Sequence, residues 1–430
     1  MSDAFRLNGH RGDVTWPGRT TRPGLRDRRR RALERLHGGA DNIPVRRPMP
    51  RLRRDRDPRP GVWALQHGPA PVCYYVIAVV VAMFVMLGLV MVLSASATVE
   101  SNRGNSPYGI FNRQLTWAIL GLVGLLIALR VRLAWLQRLA LPGLVIGALA
   151  MGLPFVPGIG ATINDARAWV ALGEFSFQPS EFLKLAVVIA AASLLVRRQQ
   201  QLSDIRRSLP PIAFLAMATA GACLAQGDLG SAIVMSTIVL AVAFIGGVPL
   251  SPMIATGVMA TGAALGFVFS TSFRYERFTA FLDITGQRDE LSYQTYQGFL
   301  AIADGGIAGS GVGGGNGKLG YLPLAHSDFI FAVIADELGL VGSVAVVGGF
   351  MLLVWFGVQA ALAAPDRFGM LLAGGITAWF GAQAVINLGG VTGLMPVTGL
   401  TLPFFSAGGS SLFVSMIAAG LLLNVARQAR

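Results

Sequence analysis

The sequence predicts an all-α polytopic membrane protein, and three observations carry that prediction. Of 430 residues, 53% are apolar and only 13% charged, which is too greasy for a soluble domain. Apolar runs of roughly 20 residues recur, each long enough to cross a hydrocarbon core about 30 Å thick as a helix. The arginines gather between alternate runs, as they do when positive loops are retained on the cytoplasmic side.

Residues 1–70 come first and differ from the rest. They hold 17 arginines among Pro, Gly and Asp, with little apolar periodicity. That composition predicts a disordered cytoplasmic arm, far longer than a secretory n-region. Its charge, part of a net +13, points to anionic inner-leaflet lipids as partner, in preference to nucleic acid.

Residues 71–430 form the membrane domain. Ten apolar runs begin near residues 72, 115, 135, 179, 210, 229, 250, 328, 368 and 405. With the amino terminus inside, the clusters Arg130, Arg132 and Arg138, then Arg197, Arg198, Arg206 and Arg207, then Arg367, and finally Arg427 and Arg430 all fall inside. Both termini are then cytoplasmic. The outer face receives loops 97–114, 155–178, 226–230, 272–327 and 392–406, of which 272–327 is the largest. Cys73 and Cys223 fall near opposite ends of their helices, so they read as apolar fillers rather than a disulfide. The runs show no internal repeat.

The outer segments hold the unusual polar chemistry: Arg167 and Trp169 in "NDARAWVALG", Glu181 and Lys184 in "QPSEFLKLA", Asp228 in "QGDLG", His326 and Asp328 in "AHSDF". Of 35 basic residues only Lys184 and Lys318 are lysines. A compact, titratable point charge suits a place where a planar guanidinium does not; chance is the plain alternative. Lys184 lies one turn past Glu181 in a helix that Pro179 helps to start. Ionisable groups within a span are costly and face a partner or a wet cavity, so Asp328, entering from another helix, is the expected second partner of Lys184. Asp336 and Glu337 lie about two turns deeper, and the sequence leaves them open as structural or catalytic.

Gly309, Gly311 and Gly314 match G-x-G-x-x-G, and Gly317-Lys318 resembles the end of a P-loop. No strand precedes the run, Val312 stands where the first P-loop glycine belongs, and Leu319 replaces the Ser or Thr. Nucleotide binding is therefore not expected. A turn whose amides approach an anionic headgroup is.

Several ordered segments resemble one family, the polytopic cell-wall polymerases of the shape, elongation, division and sporulation group. They are "VLSASAT", "QPSEFLKLA", "GDLGSA", "YQTYQGFLAIADGGIAGSGVG", "LPLAHSDFIFAVIADELGLVG" and "INLGGVTGLMPVTGLTLPFFSAGGSSL". The likeness is greater to the division-specific than to the elongation member, and the arm and arginine bias are similar to actinobacterial versions. The resemblance implies ten transmembrane helices and a peptidoglycan glycosyltransferase that polymerises lipid II at the outer face of the plasma membrane, at the septum. The family's essential aspartate falls on Asp328, and its paired glutamate and lysine on Glu181 and Lys184. Asp165, Asp336 and Ala407 stand where the family usually has Gly, Glu and Tyr.

Such a transfer inverts an α-linked glycosyl pyrophosphate in one displacement, with Asp328 as base or as the group that organises it, Lys184 holding Asp328 ionised or contacting a phosphate, and Glu181 fixing Lys184. Arg167, Arg274, Arg277 and Lys318 are candidates for the leaving pyrophosphate; Gln294, Gln297, Asp228, His326, Ser406 and Ser410 are further substrate-binding candidates. The resemblance also implies a divalent cation (Mg2+ or Mn2+) bridging the pyrophosphate, with Asp328 as a candidate ligand, though the residues show no dedicated ligand cluster beyond His326, Asp328 and Glu181. Implied partners are lipid II, the growing lipid-linked glycan, a class B penicillin-binding protein and other division proteins. A lipid II flippase and a non-enzymatic division scaffold are the rivals. The first should show inverted repeats and the second should place its key residues on the arm.

Overall fold

The computed structural model describes residues 71–429 apart from 164–165, 174, 203, 285, 287–291, 316–321 and 324. The expected arm, residues 1–70, lies outside the described residues.

Nine helices among the described residues are long and apolar enough to cross a membrane. They are α1 (Val72–Asn102), α2 (Gly109–Ala128), α3 (Leu133–Ala150), α4 (Pro179–Arg197), α5 (Ile205–Ala225), α7 (Leu250–Val268), α10 (Ile330–Leu362), α11 (Arg367–Val391) and α12 (Gly409–Gln428). A tenth apolar helix, α6 (Leu229–Ile245), is shorter at 17 residues. These are the ten expected runs, with starts moved by a few residues.

The bundle is enclosed at its centre and open at its rim. α12 is the most enclosed span, whereas α2, α3 and α7 bury little of themselves. Small residues allow the closest approaches: a Cβ at Gly420 would lie 2.6 Å from the Leu125 carbonyl oxygen of α2, and one at Gly121 would lie 2.6 Å from Met416 Sδ of α12. At the end of the bundle that the arginine pattern assigns to the cytoplasm, arginines donate to final helix carbonyls. Arg367 Nη2 reaches Gly246 O at 2.6 Å, and Arg427 Nη2 reaches Leu129 O at 3.2 Å, where cations suit the negative helix end.

Two segments that the sequence left as outer loops carry structure. Residues 160–177 form an antiparallel meander of β1 (Gly160–Ile163), β2 (Ala166–Leu172) and β3 (Phe175–Phe177), with Val170 opposite both Gly160 and Phe177. Ala168 and Val170 are buried while Arg167 is exposed, the period-two alternation of a strand with one covered face. Segment 272–327 contains α8 (Ser272–Leu282) and α9 (Tyr293–Gly305).

α10 is interrupted at Gly339, whose φ of 65° and ψ of −160° belong to a region essentially reserved for glycine. The glycine run that follows α9 serves this break. Ser310 N–H donates to Asp336 O at 3.0 Å and Gly311 N–H to Glu337 O at 3.0 Å, while Leu340 N–H donates to Gly306 O at 2.9 Å. The loop thus satisfies carbonyls that end the first half of α10 and an amide that starts the second, groups that would otherwise be stranded at membrane depth.

Candidate active site

Glu181 and Lys184 sit one turn apart at the start of α4, with Pro179 in its first turn. Both are buried, and Lys184 Nζ donates to Glu181 Oε1 at 2.8 Å. Sealing an ion pair from water is unfavourable unless further hydrogen bonds complete it. α11 supplies them. Lys184 Nζ also donates to Gln383 Oε1 at 3.1 Å, and Trp379 Nε1 donates to the same oxygen at 2.7 Å. The ammonium lies 5.8 Å from the centroid of the Trp379 ring, within cation–π range. Gln383 Nε2 then donates to Thr401 O at 2.8 Å, and the Thr401 and Ser411 hydroxyls are 2.9 Å apart. Glu181 Oε2 is buried without a hydrogen-bond partner.

Asp328 lies in the turn just before α10. It lines a narrow cleft with Asn387, Val397, Thr398, Gly399 and Leu400. Asn387 Nδ2 donates to Asp328 O at 2.9 Å and to Leu400 O at 2.7 Å, which fixes this turn against α11. Gly399, at φ +72°, has its Cβ direction 3.8 Å from Asp328 Oδ2. Burial raises the Asp328 carboxyl to about 6 from 3.8; the Asp228 charge adds to the rise and a hydrogen bond from Ser327 opposes it. His326, two residues earlier, is held below its ordinary value, chiefly by burial.

The expected direct contact between Lys184 and Asp328 is not formed. The ammonium donates instead to Glu181 and Gln383, and no ion pair within 4 Å joins it to Asp328. The reason lies in α11. Gln383 and Asn387 are four residues apart, hence on one face and about 6 Å apart along the axis. Gln383 receives the lysine and Asn387 holds the aspartate's turn. The amides that meet the two sites are on successive turns of α11, which with the 397–401 segment joins them.

The remaining candidates divide. Asp228 caps α6: its Oδ1 accepts from Ser231 N–H at 2.8 Å and its Oδ2 from Gln178 Nε2 at 2.8 Å. Arg167 is exposed on β2 with its backbone N–H on Gln226 O at 2.9 Å. Gln294 Nε2 donates to Pro323 O at 3.0 Å, pinning the returning loop, and Gln297 is partly buried one turn on. Ser406 and Ser410 are buried, and their hydroxyls accept from Leu402 N–H at 2.8 Å and Gln178 N–H at 3.2 Å. Both are committed to the protein's own backbone. His326 O accepts from Ala407 N–H at 2.8 Å, and Phe404 holds a φ of 71° in the same buried turn. The Arg274 and Arg277 side chains, with Lys318 and Asp165, lie outside the described residues.

Among the described residues no group of three or more His, Cys, Asp or Glu is placed to hold a metal. The glycine run has a use other than headgroup binding, because its amides serve the α10 break. Glu337 accepts from Ser94 Oγ at 2.6 Å and from Gly313 N–H at 3.1 Å, and Asp336 packs on Gly315. Both carboxylates are buried.

Sequence reasoning missed Gln383 and Asn387. Their signal was available as two amides four residues apart within an apolar span, where polar groups seek partners in the bundle interior.

A protein-family model for cell cycle proteins of the FtsW, RodA and SpoVE type matches residues 74–430. The chain is 36% identical over 343 residues to the probable peptidoglycan glycosyltransferase FtsW of Geobacter sp. (strain M18), covering 80% of this chain and 94% of that one. It is 37% identical over 367 residues to the probable peptidoglycan glycosyltransferase FtsW of Mycobacterium tuberculosis, covering 85% and 70%. Among solved structures, a chain from work on the structural coordination of polymerization and crosslinking by a peptidoglycan synthase complex aligns with a TM-score of 0.67 at 31% identity, covering 83% of this chain and 98% of that one.

Proposed function

The chain belongs to the FtsW/RodA/SpoVE family of cell cycle proteins, and we propose that it is a peptidoglycan glycosyltransferase that polymerises lipid II at the outer face of the plasma membrane during septal wall synthesis. One observation carries the reading. Asp328, its carboxyl raised to about 6, lines a cleft with Asn387, one turn along α11 from the Gln383 that receives the buried Lys184–Glu181 pair.

In this mechanism the 4-hydroxyl oxygen of an acceptor sugar attacks C1 of the α-linked donor. The new C1–O bond forms as the C1–O(phosphate) bond breaks, and the departing electron pair leaves with undecaprenyl pyrophosphate. The hydroxyl proton passes to Asp328, which is ionised above pH 6 and basic enough to take it. Inversion gives the β-1,4 link without a protein nucleophile. Lys184 and Glu181, through Gln383, hold the 397–401 wall of the cleft, and Arg167, Arg274, Arg277 and Lys318 are assigned to the pyrophosphate. A divalent cation, if bound, would supply further charge neutralisation there; no step above passes through it.

A class B penicillin-binding transpeptidase is the proposed partner, because the solved relative comes from a complex that couples polymerization to crosslinking. The match to a family of cell cycle proteins is what supports a septal role.

The test is polymerisation of purified lipid II by the full chain with its partner transpeptidase. Asp328→Ala is expected to lose glycan synthesis by about 100-fold or more. Full retained activity would discard the assignment, and movement of labelled lipid II across vesicles without polymer would favour a flippase.

A further inference from the structure

The side chain of Asn387 is 5% exposed, and its Oδ1 is buried with no hydrogen-bond partner. The orientation of the amide is not arbitrary. Its Nδ2 lies on two backbone carbonyl oxygens, those of Asp328 and Leu400, and only an N–H group can serve both. The oxygen is therefore left over, and an unsatisfied buried acceptor is unfavourable. Asn387, Asp328 and Leu400 all line the same cleft, which has room for a hydroxyl-sized group.

We propose that Asn387 Oδ1 and the Asp328 carboxylate together read a vicinal diol on the acceptor sugar, Asp328 taking the reactive 4-hydroxyl and Asn387 the neighbouring 3-hydroxyl. The inference rests on the glycosyltransferase reading and adds a specificity to it. A hydroxyl carries one proton, so the hydroxyl that donates to Asp328 cannot also satisfy Asn387. The second donor has to come from an adjacent group. An N-acetylhexosamine with free 3- and 4-hydroxyls supplies both. A sugar whose 3-oxygen is etherified supplies one and leaves Asn387 stranded, and sites built to hydrogen-bond a hydroxyl reject the analogue lacking it. The cleft thus selects which of the two alternating wall sugars can act as acceptor.

The experiment compares lipid II with an analogue lacking only the 3-hydroxyl of its terminal N-acetylglucosamine, both as acceptors for the full chain and its partner. The readout is the ratio of kcat/KM for the two on one preparation, which cancels any inactive fraction. The wild type is expected to prefer the parent by about tenfold, the worth of one hydrogen bond. Asn387→Ala is expected to use both poorly and to bring the ratio to within about twofold of unity. A wild-type ratio of one overturns the proposal and leaves the orphan oxygen to a water. So does an Asn387→Ala ratio equal to the wild type's, since another group would then read the 3-hydroxyl. If Asn387→Ala yields too little polymer to rate, the wild-type ratio decides alone. No polymer from wild type and parent substrate defeats the glycosyltransferase reading itself, which separates the two failures.

Discussion

Lys184 Nζ and Glu181 Oε1 lie 2.8 Å apart, one turn from each other in α4, with side-chain exposures of 0% and 3%. A pair this enclosed is held by its surroundings, and removing one member strands the other. Lys184→Met should therefore destabilise the protein by about 3–5 kcal/mol. Lys184→Met combined with Glu181→Leu should recover most of that in thermal unfolding without recovering polymer synthesis. Lys184→Arg tests the chemistry of the ammonium separately: the fork has no room between Glu181, Gln383 and Trp379, so turnover should collapse. Near-normal turnover of that variant would show that the lysine is incidental.

The acid limb of activity reports Asp328. A base whose carboxyl is raised to about 6 is active only when ionised, so kcat/KM should climb as pH rises through about 6 and level off above it. Asp228 contributes to that rise by its charge. Asp228→Asn retains an acceptor for the α6 cap while removing the charge, and the limb should move toward lower pH. A limb that stays in place would assign the rise to burial alone.

The same group acts on stability in the opposite sense. The folded state holds the Asp328 proton more tightly than the unfolded chain, so the stability it contributes is complete below 3.8 and lost as pH rises through about 6. Asp328→Asn should relieve the loss. Its advantage over the parent should be absent near pH 4 and reach at most about 3 kcal/mol above pH 7, less because the side chain is only partly covered. Thermal unfolding at the two pH values measures it, and an equal advantage at both would contradict the assignment.

Gly339→Ala places a Cβ where the φ of +65° is already unfavourable and where Ile307 O lies 2.5 Å away. The strain alone is about 1–3 kcal/mol, and the contact with backbone adds to it. Gly311, also at positive φ (+87°), has open space around its Cβ direction, so Gly311→Ala should lose only about 1–2 kcal/mol. Similar melting temperatures for the two variants would refute the account of the break.

The spans were legible because a lipid solvent demands length and hydropathy of each helix independently. Glu181, Lys184 and Asp328 stood out because charge in such surroundings needs a reason. Which charge meets which was not legible. Lys184 turns to Gln383 and Asp328 is met by Asn387, and only the packing of α4 and α10 on α11 decides this. The meander at 160–177 and helices α8 and α9 are short and held by tertiary contact, so their local patterns were weak. The interruption at Gly339 was hidden within a continuous apolar run, one glycine among 54.

That interruption also constrains how the chain is assembled. A span whose ladder stops part-way would carry bare peptide groups into hydrocarbon if it entered the bilayer alone. The residues that cover them, 306–311, leave the ribosome before the carbonyls they serve. The 306–311 loop is therefore already made when the second half of α10 arrives, which makes the order of synthesis part of the fold.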